Sequence, residues 1–196
     1  TDRTGEIAAH FANQDPRIRH FKTEHQGRNT ALRSAHQQAE GAYLGWIDSD
    51  DRLTPATLAA TVGLLNTEPD IGMVYTDHQI IDSQGKLQGY GHRCQIPYSK
   101  DRLLVDFMTF HFRLMRRESF ETCGGIDPYF ESAIDYDLCL RLSETAQIKH
   151  LKVPLYEYRV HPQSMSNQNR SRQVQYAKAA VERAIGRRVL EKTYRL

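Results

Sequence analysis

The chemistry of this chain is best sought where acidic side chains gather without a packing reason. In Trp46-Ile47-Asp48-Ser49-Asp50-Asp51 an apolar stretch runs straight into three carboxylates within four residues. Like charges so close repel one another unless a cation neutralises them, and a hard divalent ion with oxygen ligands is the natural counter-charge. Such an ion can in turn bind a diphosphate. The same residues also suit a helix N-terminus, with Asp51 or Thr54 capping a helix that opens at Pro55. A second acidic pair, Asp135 and Asp137, opens the pattern IDYDLCLRL. Carboxylates are ordinary in the first turn of a helix. Upstream, however, Gly124-Gly125-Ile126-Asp127 reads as a tight turn that returns the helix start toward a sheet edge, where a carboxylate can serve as a general base. Third, Tyr158-Arg159-Val160-His161 reads as a strand ending in a histidine. A lone histidine is commonly a surface or hydrogen-bonded residue, and the acidic company is what makes His161 a candidate ligand.

These residues need elements to hold them. Residues 4–13 place Ile7, Ala8, Phe11 and Ala12 on one helical face with Thr4 as the cap, and Asp15-Pro16 stops the helix. Residues 17–22 (RIRHFK) suit a short strand, 27–39 a helix entered through Gly27, and 43–48 (YLGWID) a buried strand. Leu58, Val62 and Leu65 give helical spacing after Pro55, IGMVYTDHQIID is the next strand, and SQGK is a turn. Residues 86–107 read as irregular or partly helical, and FHFRLM (110–115) as a further strand. This alternation predicts an α/β sandwich with a mainly parallel central sheet, with ligands gathering at the C-terminal edge of its strands. Residues 169–196 carry eight Lys/Arg against two Glu. Val174, Ala177, Val181, Ala184 and Ile185 form one apolar stripe there, so a basic amphipathic helix is expected. The stripe suits docking on the core. The basic face suits peripheral contact with anionic lipid, as a membrane-bound acceptor would favour.

Composition narrows the classes. The 196 residues carry 26 Lys+Arg against 24 Asp+Glu, a formal charge of +2. That balance argues against a nucleic-acid partner held by bulk electrostatics. No apolar run approaches the ~18 residues needed to span a bilayer. Three scattered cysteines and the absence of a signal pattern fit a reduced, cytoplasmic protein, peripheral at the inner face of the membrane if 169–196 engages lipid. Cys139 falls at an apolar helical position and reads as a core residue. No G-x-x-x-x-G-K-[ST] loop occurs, which excludes the common nucleotide-hydrolysing machines.

Taken in order, WIDSDD, CGGIDPYF with AIDYDLCLRL, and PLYEYRVHPQSMS resemble the family 2 glycosyltransferases of GT-A fold. HQGRNTALRSAHQQAEGAYLGWIDSDD resembles the helix leading to that family's DxD strand. The resemblance covers about residues 1–168 and implies a GT-A domain over 1–167 followed by a C-terminal helix over 168–196. It implies an inverting enzyme that moves a sugar from a nucleoside diphosphate sugar, UDP-sugars first, to a saccharide or lipid-linked acceptor in polysaccharide or glycoconjugate synthesis, using Mn2+ or Mg2+. Carried over by position, Asp50 and His161 contact the metal, Asp48 lies near the ribose or metal on the donor side, and Asp51 supports or caps. Asp135 is the base that takes the acceptor proton and Asp137 its orienting neighbour. Gly124 and Gly125 shape the acceptor pocket, and acceptor choice falls to 86–107 and the C-terminal region. Three departures stand out. The opening TDRTGEIAAHF resembles the helix after the family's second strand, which implies an N-terminally truncated sandwich. Leu32 stands where many members carry arginine, and Ile134 where a glutamate often precedes the base. A non-catalytic relative that binds nucleotide or glycan is the alternative. WIDSDD also resembles, more faintly, the aspartate motif of haloacid dehalogenase-type phosphatases, but the expected later lysine has no convincing context.

Overall fold

Eleven residues, IGMVYTDHQII, become the spine of the sheet. They are buried almost without a break, as a strand covered on both faces must be. The structure is a computed structural model that describes residues 3–161 and 170–190. By its contacts the chain divides into two units, Thr1–Ala39 and Glu40–Leu196.

The first unit holds two helices, α1 (Thr4–Gln14) and α2 (Gly27–Gln38). Thr4 is the first helical residue of α1, and Arg3 takes the cap position. No residue of α1 is buried, and Ile7, Phe11, Ile18 and Phe21 are exposed. The strand expected at 17–22 is not formed. Strands need a neighbouring edge, and this unit contains only helices among its described residues.

The second unit carries the sheet. Its strands are β1 (Tyr43–Leu44), β2 (Arg52–Leu53), β3 (Ile71–Ile81), β4 (Leu87–Tyr90), β5 (Arg113–Arg116) and β6 (Gln147–Arg159). The order is β1-β5-β3-β6-β2, with β4 on β3 beyond the end of β5. The longest pairing, β3 with β6, is parallel as expected, whereas the other four pairings are antiparallel. The sheet is therefore mixed. Of the stretch 43–48 only Tyr43 and Leu44 pair in the ladder, and the strand expected at 110–115 begins at Arg113. Gly45 passes so close to β5 that a Cβ there would lie 2.9 Å from the Arg113 carbonyl oxygen. The stretch 86–107 contributes β4 and two single 3-10 turns, His92–Gln95 and Arg102–Leu104.

Helix α3 (Thr57–Thr67) packs on β3 and β6. There Leu65, Ile71, Val74, Phe112, Leu114 and Tyr156 form one buried cluster. Met73 and Tyr75, which alternate with Val74 along β3, are also fully buried. Helix α4 (Arg117–Thr122) follows β5 directly, and α5 (Ile134–Thr145) buries Leu138, Cys139, Leu140 and Leu142 completely. Helix α6 (Arg170–Arg187) packs against α5 through Ala180, Val181, Ala184 and Ile185. The stripe thus docks on the core, though its N-terminal end does not, since Val174 is exposed. Arg187 lies 2.7 Å from Glu144, which Arg188 also reaches, and Arg183 lies 2.9 Å from Asp127.

Candidate active site

The acidic segment is a tight turn between β1 and β2, closed by the Asp51 N–H donating to the Asp48 carbonyl at 3.1 Å. Asp51 points inward. Its Oδ2 accepts the Tyr156 hydroxyl at 2.5 Å and its Oδ1 accepts the Arg159 backbone N–H at 2.7 Å. Burial lifts this carboxyl to about 6; the two donors oppose the lift, and Asp50 and Asp48 add to it. Arg159 also donates to the Asp50 carbonyl at 2.6 Å and to the Asp82 carbonyl at 2.9 Å, so one side chain clamps the turn to the end of β3. Asp51 is thus the anchor of the turn.

Asp50 stays half-exposed, and its Oδ2 lies 3.0 Å from Nε2 of His161, just beyond β6. The two elements meet because β6 bulges. Thr76 pairs with Leu151 but Asp77 with Pro154, and a proline, lacking an N–H, is tolerated at such a point. The donor set of one carboxylate oxygen and one imidazole nitrogen fits a divalent cation. Neighbouring ligands at ~2.1 Å on an octahedral ion lie roughly 3 Å apart. No group of three or more His, Cys, Asp or Glu converges on one point among the described residues.

Asp135 enters from the first turn of α5, which Ala133 opens in the left-handed region at φ 53°. Its Oδ2 accepts Arg113 Nη2 at 3.0 Å and its Oδ1 accepts the Tyr136 N–H. Arg113 is almost wholly buried and also reaches the Thr109 carbonyl at 2.8 Å and His111 Nδ1 at 3.1 Å. Burial works against its charge, but its acidic neighbours, Asp135 first, outweigh that and hold the guanidinium above its ordinary pKa. His111 stacks on Tyr156 at 5.0 Å, and its Nε2 lies 3.8 Å from Asp48 Oδ2. Hydrogen bonds thus run from His111 through Arg113 to Asp135 at the head of α5, and His111 approaches Asp48 of the acidic turn to 3.8 Å.

Asp137, Gly124 and Gly125 form a separate group. Asp137 is buried, and Arg141 grips its Oδ2 at 2.6 and 2.9 Å while donating to the Cys123 carbonyl at 2.7 Å. Gly124 and Gly125, at φ 87° and 62°, end α4, their N–H groups donating to the Glu121 and Phe120 carbonyls. Arg141, held by Asp137, thus ties this turn to α5. The site residues that the motifs did not point to are His111, Arg113 and Tyr156. Their signal was a histidine and an arginine inside the apolar run FHFRLM.

Two solved structures share this architecture. S. aureus TarS 1-349 in complex with UDP-GlcNAc superposes with a TM-score of 0.61 at 18% identity, over 82% of this chain and 47% of that one. The mannosyltransferase PcManGT from Pyrobaculum calidifontis, in complex with GDP-Man and Mn2+, gives 0.61 at 15% identity, over 100% and 64%. The fold is the GT-A fold of sugar transferases. The chain belongs to glycosyltransferase family 2: the sequence model described as "Glycosyl transferase family 2" matches residues 1–124. Chondroitin synthase of Escherichia coli is 29% identical over 160 residues, which are 82% of this chain and 23% of that protein. The chain therefore spans about a quarter of that relative's length.

Proposed function

We propose that this chain is the transferase domain of an inverting enzyme that moves a sugar from a nucleoside diphosphate sugar to an acceptor hydroxyl. The observation that supports this reading is the nearness of Asp48 and Asp135, which face a shared pair of side chains: Arg113 hydrogen-bonds Asp135 and His111, and His111 lies 3.8 Å from Asp48. In this reading Asp135 accepts the proton of the acceptor hydroxyl as its oxygen bonds to the anomeric carbon and the bond to the diphosphate breaks on the opposite face. Arg113 holds the Asp135 carboxylate in place. Asp50 and His161 hold a divalent cation, Mn2+ or Mg2+, which when bound supplies positive charge to the departing diphosphate. Asp48 faces the donor, and Asp51, through Tyr156 and Arg159, keeps the turn rigid. Asp137 with Gly124 and Gly125 supports the acceptor side of α5. The relatives' names favour a polysaccharide as product, and UDP is the first nucleotide to try, since TarS was solved with UDP-GlcNAc.

No described helix is long and apolar enough to cross a membrane. Because α6 spends its apolar stripe on α5, contact with a cytoplasmic membrane face would rest on its basic side alone. The experiment is the thermal shift of the chain with UDP, GDP and dTDP, each with Mn2+ and with chelator, followed by transfer assays on Asp135→Asn and Asp50→Ala. A metal-dependent rise with one nucleotide, lost in Asp50→Ala and kept in Asp135→Asn while transfer disappears, is the expected pattern. Transfer retained by Asp135→Asn would remove Asp135 as the base.

A further inference from the structure

Arg93, in the 3-10 turn His92–Gln95, has no part in the contacts described so far. Its guanidinium carbon lies 4.7 Å from the centre of the Phe110 ring and 5.5 Å from that of Phe107. Among the described residues it has cation–π contacts but no hydrogen-bonding carboxylate or carbonyl. A guanidinium is a planar fork of five donors. Stacking on rings uses its faces and leaves those donors open, and a half-buried cation without a counter-charge is costly. Burial accordingly pulls its pKa down, and Asp135 is the neighbouring charge that opposes the pull most. Asp135, however, is already taken by Arg113, whose guanidinium lies 5.7 Å from the same Phe107 ring. The two rings under Arg93, Phe107 and Phe110, are partly exposed, and Phe110 lies 5.3 Å from the partly exposed Tyr158. An open cationic fork and apolar ring faces thus lie within electrostatic reach of the candidate base, with Phe107 shared between Arg93 and the arginine that holds Asp135.

We propose that Arg93 binds an acidic group of the acceptor, a carboxylate or a phosphate, and selects anionic acceptor glycans while the adjoining rings carry the sugar. This rests on the reading of Asp135 as the base that meets the acceptor. A compact oxyanion would supply the fork with its missing acceptors in bidentate geometry.

The test is isothermal titration of the chain with cellobiose, with its counterpart ending in glucuronate, and with its phosphorylated counterpart, each with and without UDP and Mn2+. The wild-type chain is expected to bind at least one acidic probe about tenfold more tightly than cellobiose, the scale of one charge-assisted contact. Which acidic probe gains separates the carboxylate from the phosphate. Arg93→Gln should erase the difference and Arg93→Lys should keep part of it. Equal or absent binding of the three probes by the wild-type chain overturns the proposal, as does a preference that survives in Arg93→Gln. Loss of UDP binding in Arg93→Gln with the acidic preference intact would move Arg93 to the donor side and overturn it equally. Absence of any nucleotide response in the wild-type chain, with the acidic preference present, would count against the transferase reading and leave the Arg93 site standing.

Discussion

Asp51 and Tyr156 lie 105 positions apart in sequence yet share the shortest contact of the site, 2.5 Å. Tyr156→Phe keeps the stack on His111 and removes only the donor, so the buried carboxylate loses a partner. The expected cost is roughly 1–3 kcal/mol, read as a lower urea midpoint with unchanged slope. His78, packed against Phe110 at 4.7 Å, offers a pH test. Burial pushes it down to about 4 from 6.5, with Arg93 and His92 adding to the fall and Asp77 opposing it. A histidine depressed in the folded state binds its proton more readily when unfolded, so its contribution is intact above 6.5 and is lost as the pH falls toward 4. The full difference is ~3 kcal/mol, and His78→Gln should flatten this part of the stability profile. An unchanged slope in the variant would assign the acid sensitivity elsewhere. At this scale the sequence singled out Asp48, Asp50 and Asp51 by like charges without a packing reason, Asp135 by its place after a glycine turn, and His161 by its acidic company. Arg113 and His111 were not, since a charge inside an apolar run shows its purpose only when its partner arrives from another element.

The turn after α4 is the clearest case at the scale of elements. Gly124 and Gly125 both need positive φ, but they differ in their surroundings. A Cβ on Gly125 would meet the Phe120 ring at 2.9 Å, whereas one on Gly124 would find Arg141 at 3.7 Å. Alanine at either position pays the left-handed penalty of about 1 kcal/mol, and Gly125→Ala should cost clearly more because the ring must move. Equal losses on thermal unfolding would mean that Phe120 yields freely. Helices α2 and α3, the long strand β3 and the start of α5 were readable from periodicity and from their glycine and proline punctuation. Strand bounds were less so. Residues 43–47 are largely apolar, yet only Tyr43 and Leu44 find a ladder partner. The bulge at Pro154, which carries β6 round to the acidic turn, depends on the register of two chain segments that no single segment encodes.

For the molecule as a whole, α6 decides whether the second unit is closed. Val181→Asp would bury a charge against α5 and should lower stability by several kcal/mol. Lys178→Glu, on the exposed side of the helix, should stay within about 0.5 kcal/mol. Similar losses from both would show that the stripe is not what docks. The sequence alone determined a glycosyltransferase-like α/β chain, through motifs that resemble the family in order and through apolar periodicity, because short motifs and periodicity are local properties. The tertiary structure alone decided that the sheet is mixed, that Asp51 anchors while Asp50 stays open, and that Arg113 ties Asp135 to the acidic turn. These depend on strand order, burial and contacts between residues far apart in sequence, and burial is a property of the folded chain that no local stretch of residues carries.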